Sequence, residues 1–525
     1  MSLTIERRPQ CQVTLARGTA KNDRGGFSRL GTFMASADGE KRIPVGQTNL
    51  TGRVLRARTV KSIGSPMGSF EVGFTFQGLD RDHKAALYKL LTPDNLLLLD
   101  FNAGLPGSSM TRVMEGWISN VSERTAVSRG VPQRELVVSG HDAGKFLVRH
   151  ELPGHLLTAF IQGQSEETRR LSEGLTVFGP PGQVLRQLFS ELFLRLVPAP
   201  QVIQRRSALL THPALEPSHV HFPPDALKSF ISPQSVWTKH GKFWSLFRCF
   251  LDAPWNEAFT DFLPVEHLTR VGVPGMERAA DDVAPFGDYV LTTANPDLSS
   301  ADAAAQPRAG FYIVARPQPF SPDAWRGLPR TTIRDSEIMV QQTRLSDDER
   351  VNLVYVRPLG VASKHDDYFQ GLKYKSLLFD RDNAERHGTQ ILQASTIYSD
   401  IDGTAHSDPD EVRKANSGTG LLYNALATRA ERLWDWYSVN AEMWKGAFVI
   451  AGRPDVRIGE RVSNQHEPSA FFDPNEYERR DYYCERVIQD FVEGSHYRTH
   501  LAVTRGQPLG TVLQAVTPER VRDAA

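Results

Sequence analysis

Residues 307–358, PRAGFYIVARPQPFSPDAWRGLPRTTIRDSEIMVQQTRLSDDERVNLVYVRP, decide how the rest of the chain is read. Within them 310–316 is β-branched and aromatic and ends at Pro317-Gln318-Pro319, where backbone donors vanish, so it predicts a strand stopped by proline. Residues 350–356 have the same make-up and stop at Pro358, which predicts a second strand. Between them, Leu345-Ser346-Asp347-Asp348-Glu349 carries short polar side chains that hydrogen-bond nearby backbone, so a turn is expected.

The phrases run in a set order: a strand ending in Arg-Pro-x-Pro-Phe, a Trp-Arg-x-Leu-Pro link, Ile-x-x-Ser-Glu-Ile, then Ser-Asp-Asp-Glu and an Asn-containing strand. Upstream stands Ala253-Pro254-Trp255-Asn256-Glu257, and downstream stand Val492-Glu493-Gly494-Ser495-His496-Tyr497 and Leu501-Ala502-Val503-Thr504-Arg505-Gly506. In this order they resemble the baseplate or tail-tip hub proteins of long-tailed bacteriophages, which are related to the hubs of contractile injection systems. The resemblance runs from about Leu251 to Gly506, and residues 1–150 fit it by strand pattern.

The resemblance implies an α+β chain with two tail-tube-like antiparallel β-barrel domains and helical and irregular insertions between them. It implies a homotrimeric ring that joins the sixfold tail tube to the threefold central spike or tip apparatus. The partners would be the tail tube protein, the spike or tail-tip protein and other baseplate proteins, with the tape measure protein as a further candidate. The location would be the virion tail, after synthesis in the host cytoplasm. No enzymatic activity, cofactor, catalytic residue or metal is implied.

Composition bounds the alternatives. At 525 residues the chain has room for three or four units, taking ~150 residues per domain. Sixty-one Lys and Arg balance 61 Asp and Glu, so no global field draws the protein to nucleic acid or to an anionic membrane, and no sequence-specific nucleic-acid binding is expected. Cys11, Cys249 and Cys484 are too few and too far apart for a disulfide framework or a CxxC metal site. The first eight residues hold no apolar signal-peptide core, and no segment approaches the ~20 apolar residues of a membrane span.

Four regions follow along the chain: an N-terminal arm at 1–48, a first tube-like barrel at 49–150, a helical and irregular middle at 151–310, and the central block with a second barrel and helical insertion at 311–520. In the arm only residues 12–16 read as a strand. In the first barrel, Phe70, Val72, Phe74 and Phe76 alternate with polar or small residues as a half-buried strand does. Further strands are expected at 50–60, 96–101, 111–124 and 133–139, with a short helix at 80–91 before Pro93. Amphipathic helices are expected at 183–196, 237–250, 366–382 and 420–444. The second barrel would be assembled from 351–356, 447–451, 456–462, 482–492 and 499–504.

Several motifs imitate chemistry. Asp400-Ile401-Asp402-Gly403-Thr404 matches the nucleophile phrase of haloacid-dehalogenase-type phosphatases, in which Asp400 would attack phosphate and Asp402 act as acid and base. That chemistry needs a buried strand before the nucleophile, but residues 394–399 are half polar, so an acidic turn bending at Gly403 is the stronger reading. Gly140-His141-Asp142-Ala143-Gly144-Lys145 is one residue short of a phosphate loop and lacks its Ser or Thr, which leaves a strand-to-helix turn. Gly418-Thr419-Gly420 lacks the third glycine of a dinucleotide fingerprint and reads as a helix cap. His212, His219 and His221 make half a metal site at best, in a Pro-rich link. Arg53, Arg56 and Arg58, with Arg205 and Arg206, read as solvated faces or subunit contacts.

Overall fold

A computed structural model describes residues 7–16, 47–76, 87–88, 91–93, 95–105, 107–128, 131–149, 181–193, 207–211, 215, 242–264, 290–293, 309–358, 377–396, 421–465, 479–510 and 512–520. The motifs at 400–404, 418–420, 205–206 and 212–221 lie outside these residues, as do most of the helix expected at 80–91 and the first part of that at 366–382.

The N-terminal part holds strands β1 (Gln10–Ala16), β2 (Gln47–Asn49), β3 (Val54–Ser62), β4 (Ser65–Thr75), β5 (Leu96–Asn102), β6 (Thr111–Ser128) and β7 (Val131–Asp142), followed by helix α1 (Gly144–Arg149). The alternation in β4 does what its period requires: Phe70, Val72 and Phe74 are buried, and Glu71 between them is not. In the middle come α2 (Pro181–Gln187), which runs on as a π-helical turn over Leu188–Phe193, then β8 (Ser207–Thr211), α3 (Phe243–Phe250), β9 (Asn256–Leu263) and β10 (Val290–Thr293).

The central block opens with β11 (Gly310–Pro317) and α4 (Pro322–Gly327), whose first turn is capped by the Ser321 hydroxyl accepting from the Ala324 amide. It continues with β12 (Arg330–Arg334), β13 (Ile338–Arg344), β14 (Leu353–Pro358), β15 (Leu377–Phe379), α5 (Arg381–His387), β16 (Ile391–Thr396) and α6 (Leu421–Tyr437). Strands β17 (Trp444–Ala451), β18 (Arg461–Gln465), β19 (Arg480–Val492), β20 (His496–Pro508) and β21 (Glu519–Arg520) complete the described chain.

These strands make an α+β fold dominated by antiparallel pairing. The largest sheet runs β13-β17-β20-β19-β3-β4-β7-β6-β5-β1-β2, with β12 and β18 attached beside β19. The strand sets expected for two barrels are therefore two ends of one sheet, spliced where β19 pairs with β3 at Phe491 and Ala57. A second sheet, β10-β8-β11-β9, holds β11 between a parallel and an antiparallel neighbour. That placement explains why β11 reads as an unbroken apolar run: residues 310–316 are all buried. The third sheet is β16-β14-β15-β21, covered by α6 through Ala430, Leu433 and Trp434.

Three expectations are corrected. Residues 351–356 contribute β14 to the third sheet and do not pair with β17–β20. The cause is Asn352, whose amide donates to the Gly388 carbonyl at 2.7 Å while its oxygen accepts from the Gln390 amide at 2.8 Å, so the strand is tied to β16. Residues 377–379, expected in a helix, form β15, because three consecutive apolar residues fit against β14 and helix begins only after the Asp380 cap. Val456 and Ile458, expected in a strand, are buried in a loop; Gly459 takes φ +76° beside them, and pairing starts at Arg461. Helix α6 also stops at Tyr437, and Trp444 already belongs to β17.

Candidate functional site

The phrases that carry the sequence resemblance meet in the interior, at three ionic nodes where the sheets join. In the first, Glu257 on β9 stands directly opposite Arg316 on β11. Arg316 Nε donates to Glu257 Oε1 at 2.7 Å, both side chains being 5% exposed or less. The Tyr483 hydroxyl, from β19, donates to the same carboxylate at 2.7 Å, and Arg316 Nη2 donates to the Gly459 carbonyl at 2.7 Å. Burial, with Glu257 beside it, pushes the Tyr483 phenol well above its usual range, so it remains a donor. The node clamps the second sheet to the first.

The second node lies at the Ala-Pro-Trp-Asn-Glu phrase. Asp252 adopts φ +59°, a backbone region costly for a residue with a Cβ, and is held there by its partners. Its carboxylate pairs with Arg429 of α6 at 3.2 Å and accepts from the Thr396 hydroxyl of β16 at 2.7 Å. Trp255 donates its indole N–H to the Arg429 carbonyl at 3.0 Å, and the Arg429 guanidinium sits 5.6 Å from the indole ring. The sequence places Trp255 in the core beside residues 311–315. It is fully buried, but it packs with Val354, Leu378, Leu433 and Trp434 of the third sheet and α6, touching the β11 side only through its carbonyl, which accepts from the Gln318 amide at 2.8 Å.

The third node explains the phosphate-loop lookalike. Asp142 ends β7 and accepts from the Gly144 amide at 2.9 Å and the Gly68 amide at 3.1 Å, so it is the pin of a strand-to-helix turn. Its second oxygen pairs with Lys61 of β3, which also donates to the Thr260 carbonyl at 3.0 Å. Lys145 lies buried with its ammonium 5.0 Å from the Phe146 ring, shaped for packing and not for phosphate. Lys61 reaches Asp142 across β4 only because Gly68 is there: an added Cβ would lie 2.6 Å from the Asp142 carboxylate and 2.7 Å from Lys61 Cε. Gly68→Ala is expected to cost ~1–3 kcal/mol of stability. Urea denaturation checks this, and an unchanged midpoint would mean that the Lys61–Asp142 contact does not cross β4.

Of the basic stretch, Arg56 is neutralised across the sheet by Glu71 at 2.7 Å and Glu135 at 2.5 Å. The thiols of Cys11 and Cys484 are buried and pushed up by burial, which leaves them poor nucleophiles. Among the described residues no group of three or more His, Cys, Asp or Glu is placed to hold a metal ion, and no helix is long and apolar enough to cross a membrane. The partners Lys61, Arg429, Gly459 and Tyr483 were not singled out by sequence reasoning. The available signal was a charge inside an apolar run, as in Arg316, which demands a partner but does not name it.

No protein-family model and no curated protein matches the chain. Among solved structures it is similar to the tail protein from Neisseria meningitidis MC58, at 12% identity over 94% of this chain and 96% of that one, TM-score 0.44. It is also similar to the 43 kDa tail protein of prophage MuSo2 from Shewanella oneidensis, at 10% identity over 87% and 95% of the two chains, TM-score 0.42. A third is an E. coli component of the type VI secretion system described as structurally similar to the T4 bacteriophage tail proteins gp27 and gp5, at 9% identity over 89% and 77%, TM-score 0.34. These neighbours are phage tail proteins and a hub-like secretion component, the class that the sequence phrases resemble.

Proposed function

We propose that the protein is a structural hub of a phage tail, a homotrimeric ring between the tail tube and the spike or tip apparatus. The observation that carries this reading is the convergence of the hub phrases, far apart in sequence, on one buried scaffold: Trp255, Glu257 and Arg316 fix the sheets against one another. Residues conserved in chemistry for a substrate would face a cleft; these face each other, as befits a load-bearing frame. The large sheet offers two sets of strands from one chain, spliced at β19 and β3, for contact with a tube above.

Strand β13 supports a subunit contact. It lies at one end of the sheet path, with Met339 51% and Val340 46% exposed, and an open apolar strand edge is a template for pairing. Light scattering on the purified chain, alone and with its spike partner, tests the oligomer: the expected mass is about three times 58.6 kDa. Val340→Lys is expected to shift that assembly toward monomer with the fold intact by circular dichroism. A stable dimer, or six copies at the tail tip in a particle reconstruction, would overturn the trimeric hub.

A further inference from the structure

A pocket of about 220 Å3 opens beside the first node, where β9, β17, β19, β20 and the end of α6 converge. Arg505 forms one wall. Its backbone takes φ +54°, and its guanidinium is packed against Phe320, 3.4 Å from that ring centroid, and 4.9 Å from that of Tyr437. Nη1 donates to the Trp436 carbonyl at 2.8 Å, but no carboxylate among the described residues lies within ion-pair distance of the group. Burial pulls its pKa down from the ordinary value, the mark of a cation short of solvent.

Opposite stands Glu485, which accepts from the Thr504 hydroxyl at 2.9 Å and has no cation among the described residues within ion-pair distance. Burial pushes its carboxyl up. A third group, the Gln318 side-chain oxygen, is buried and has no hydrogen-bond partner. The other charges lining the pocket are already closed: Glu257 on Arg316, and Glu349 on Lys445 at 3.1 Å.

One donor face and two acceptors are thus left unsatisfied around a space that carries no net charge. An anion would answer Arg505 but be opposed by Glu485, and a cation would meet the reverse. A primary carboxamide has one acceptor oxygen and two donor hydrogens on one plane, which matches the three groups. We propose that this pocket binds a primary carboxamide, taken either from an Asn or Gln side chain on a docking protein segment or from a free small amide. The inference does not depend on the hub reading, since it rests only on the pocket's own groups.

The test uses the full chain with 13C-methyl methionine. Met443 lines the pocket, and its resonance is assigned with Met443→Leu. Propionamide is expected to give a saturable shift of that methyl, while propionate and propylammonium at equal ionic strength do not. Glu485→Met should weaken the propionamide effect about tenfold, the scale of one charge-assisted hydrogen bond. Gln318→Leu is the second variant should the first not fold, and unchanged shifts of the remaining methionines report folding. A blocked glutamine dipeptide that binds more tightly than propionamide assigns the site to a protein segment; equal or weaker binding assigns it to a free amide. No saturable shift with propionamide, or a shift as large with propionate or propylammonium, overturns the proposal.

Discussion

Replacing Arg316 by Met lowers the free energy of unfolding by about 3–5 kcal/mol, because it leaves the Glu257 carboxylate buried without its cation. Both side chains are 5% exposed or less, so water cannot take the place of the guanidinium. The Tyr483 hydroxyl remains as a donor to Glu257, but one neutral hydrogen bond does not offset a buried charge. The loss reflects the stranded partner and not the net worth of the pair, and this distinguishes the account from a simple packing effect. Replacing the whole group, Glu257→Met with Arg316→Met and Tyr483→Phe, should therefore recover most of the stability lost by the single variant. Urea denaturation followed by tryptophan fluorescence measures both. A single variant as stable as the parent, or a triple variant worse than the single, would show that the node does not carry the junction.

The sequence made the local strands legible because their period is short and their stops are chemical. The alternation of Phe70, Val72 and Phe74 and the proline ends of β11 needed no partner to be read. Which strands share a sheet was less legible. Residues 351–356 look equally fit for any sheet, and their place was decided by one side chain, Asn352, bonding to a loop more than thirty residues away. The α+β class and the two strand sets were read correctly, whereas their splice into one sheet depends on the β19–β3 register, a pairing across more than 400 residues. At the candidate site, Trp255 and Glu257 were visible as a phrase. Their partners Arg429 and Tyr483 sit among other charged and aromatic residues with no local mark, since an ion pair leaves its signature in space and not in spacing. Gly68 was read as an ordinary strand residue, although its missing Cβ is what lets Lys61 cross to Asp142.

Trp255→Ala is expected to cost about 3–5 kcal/mol, the scale of deleting a fully packed indole. Two losses combine. The ring fills the space between the third sheet and α6, and its removal leaves a cavity lined by Val354, Leu378, Leu433 and Trp434, whose backbones are held in separate elements and cannot collapse together. The Arg429 carbonyl loses its indole donor, and the Arg429 guanidinium loses the aromatic face beside it while remaining paired with Asp252. Trp255→Phe keeps much of the volume but not the N–H, so it should fall between the parent and the alanine variant. The damage should also be regional. Amide hydrogen exchange is expected to accelerate in β14, β15 and β16, which Trp255 fastens through the second node, and to change little in β3, β4 and β7, whose core is a separate cluster. An alanine variant with the parent's urea midpoint, or one in which β3 and β4 lose protection as much as β14, would show that the indole does not fasten the third sheet to the rest of the frame.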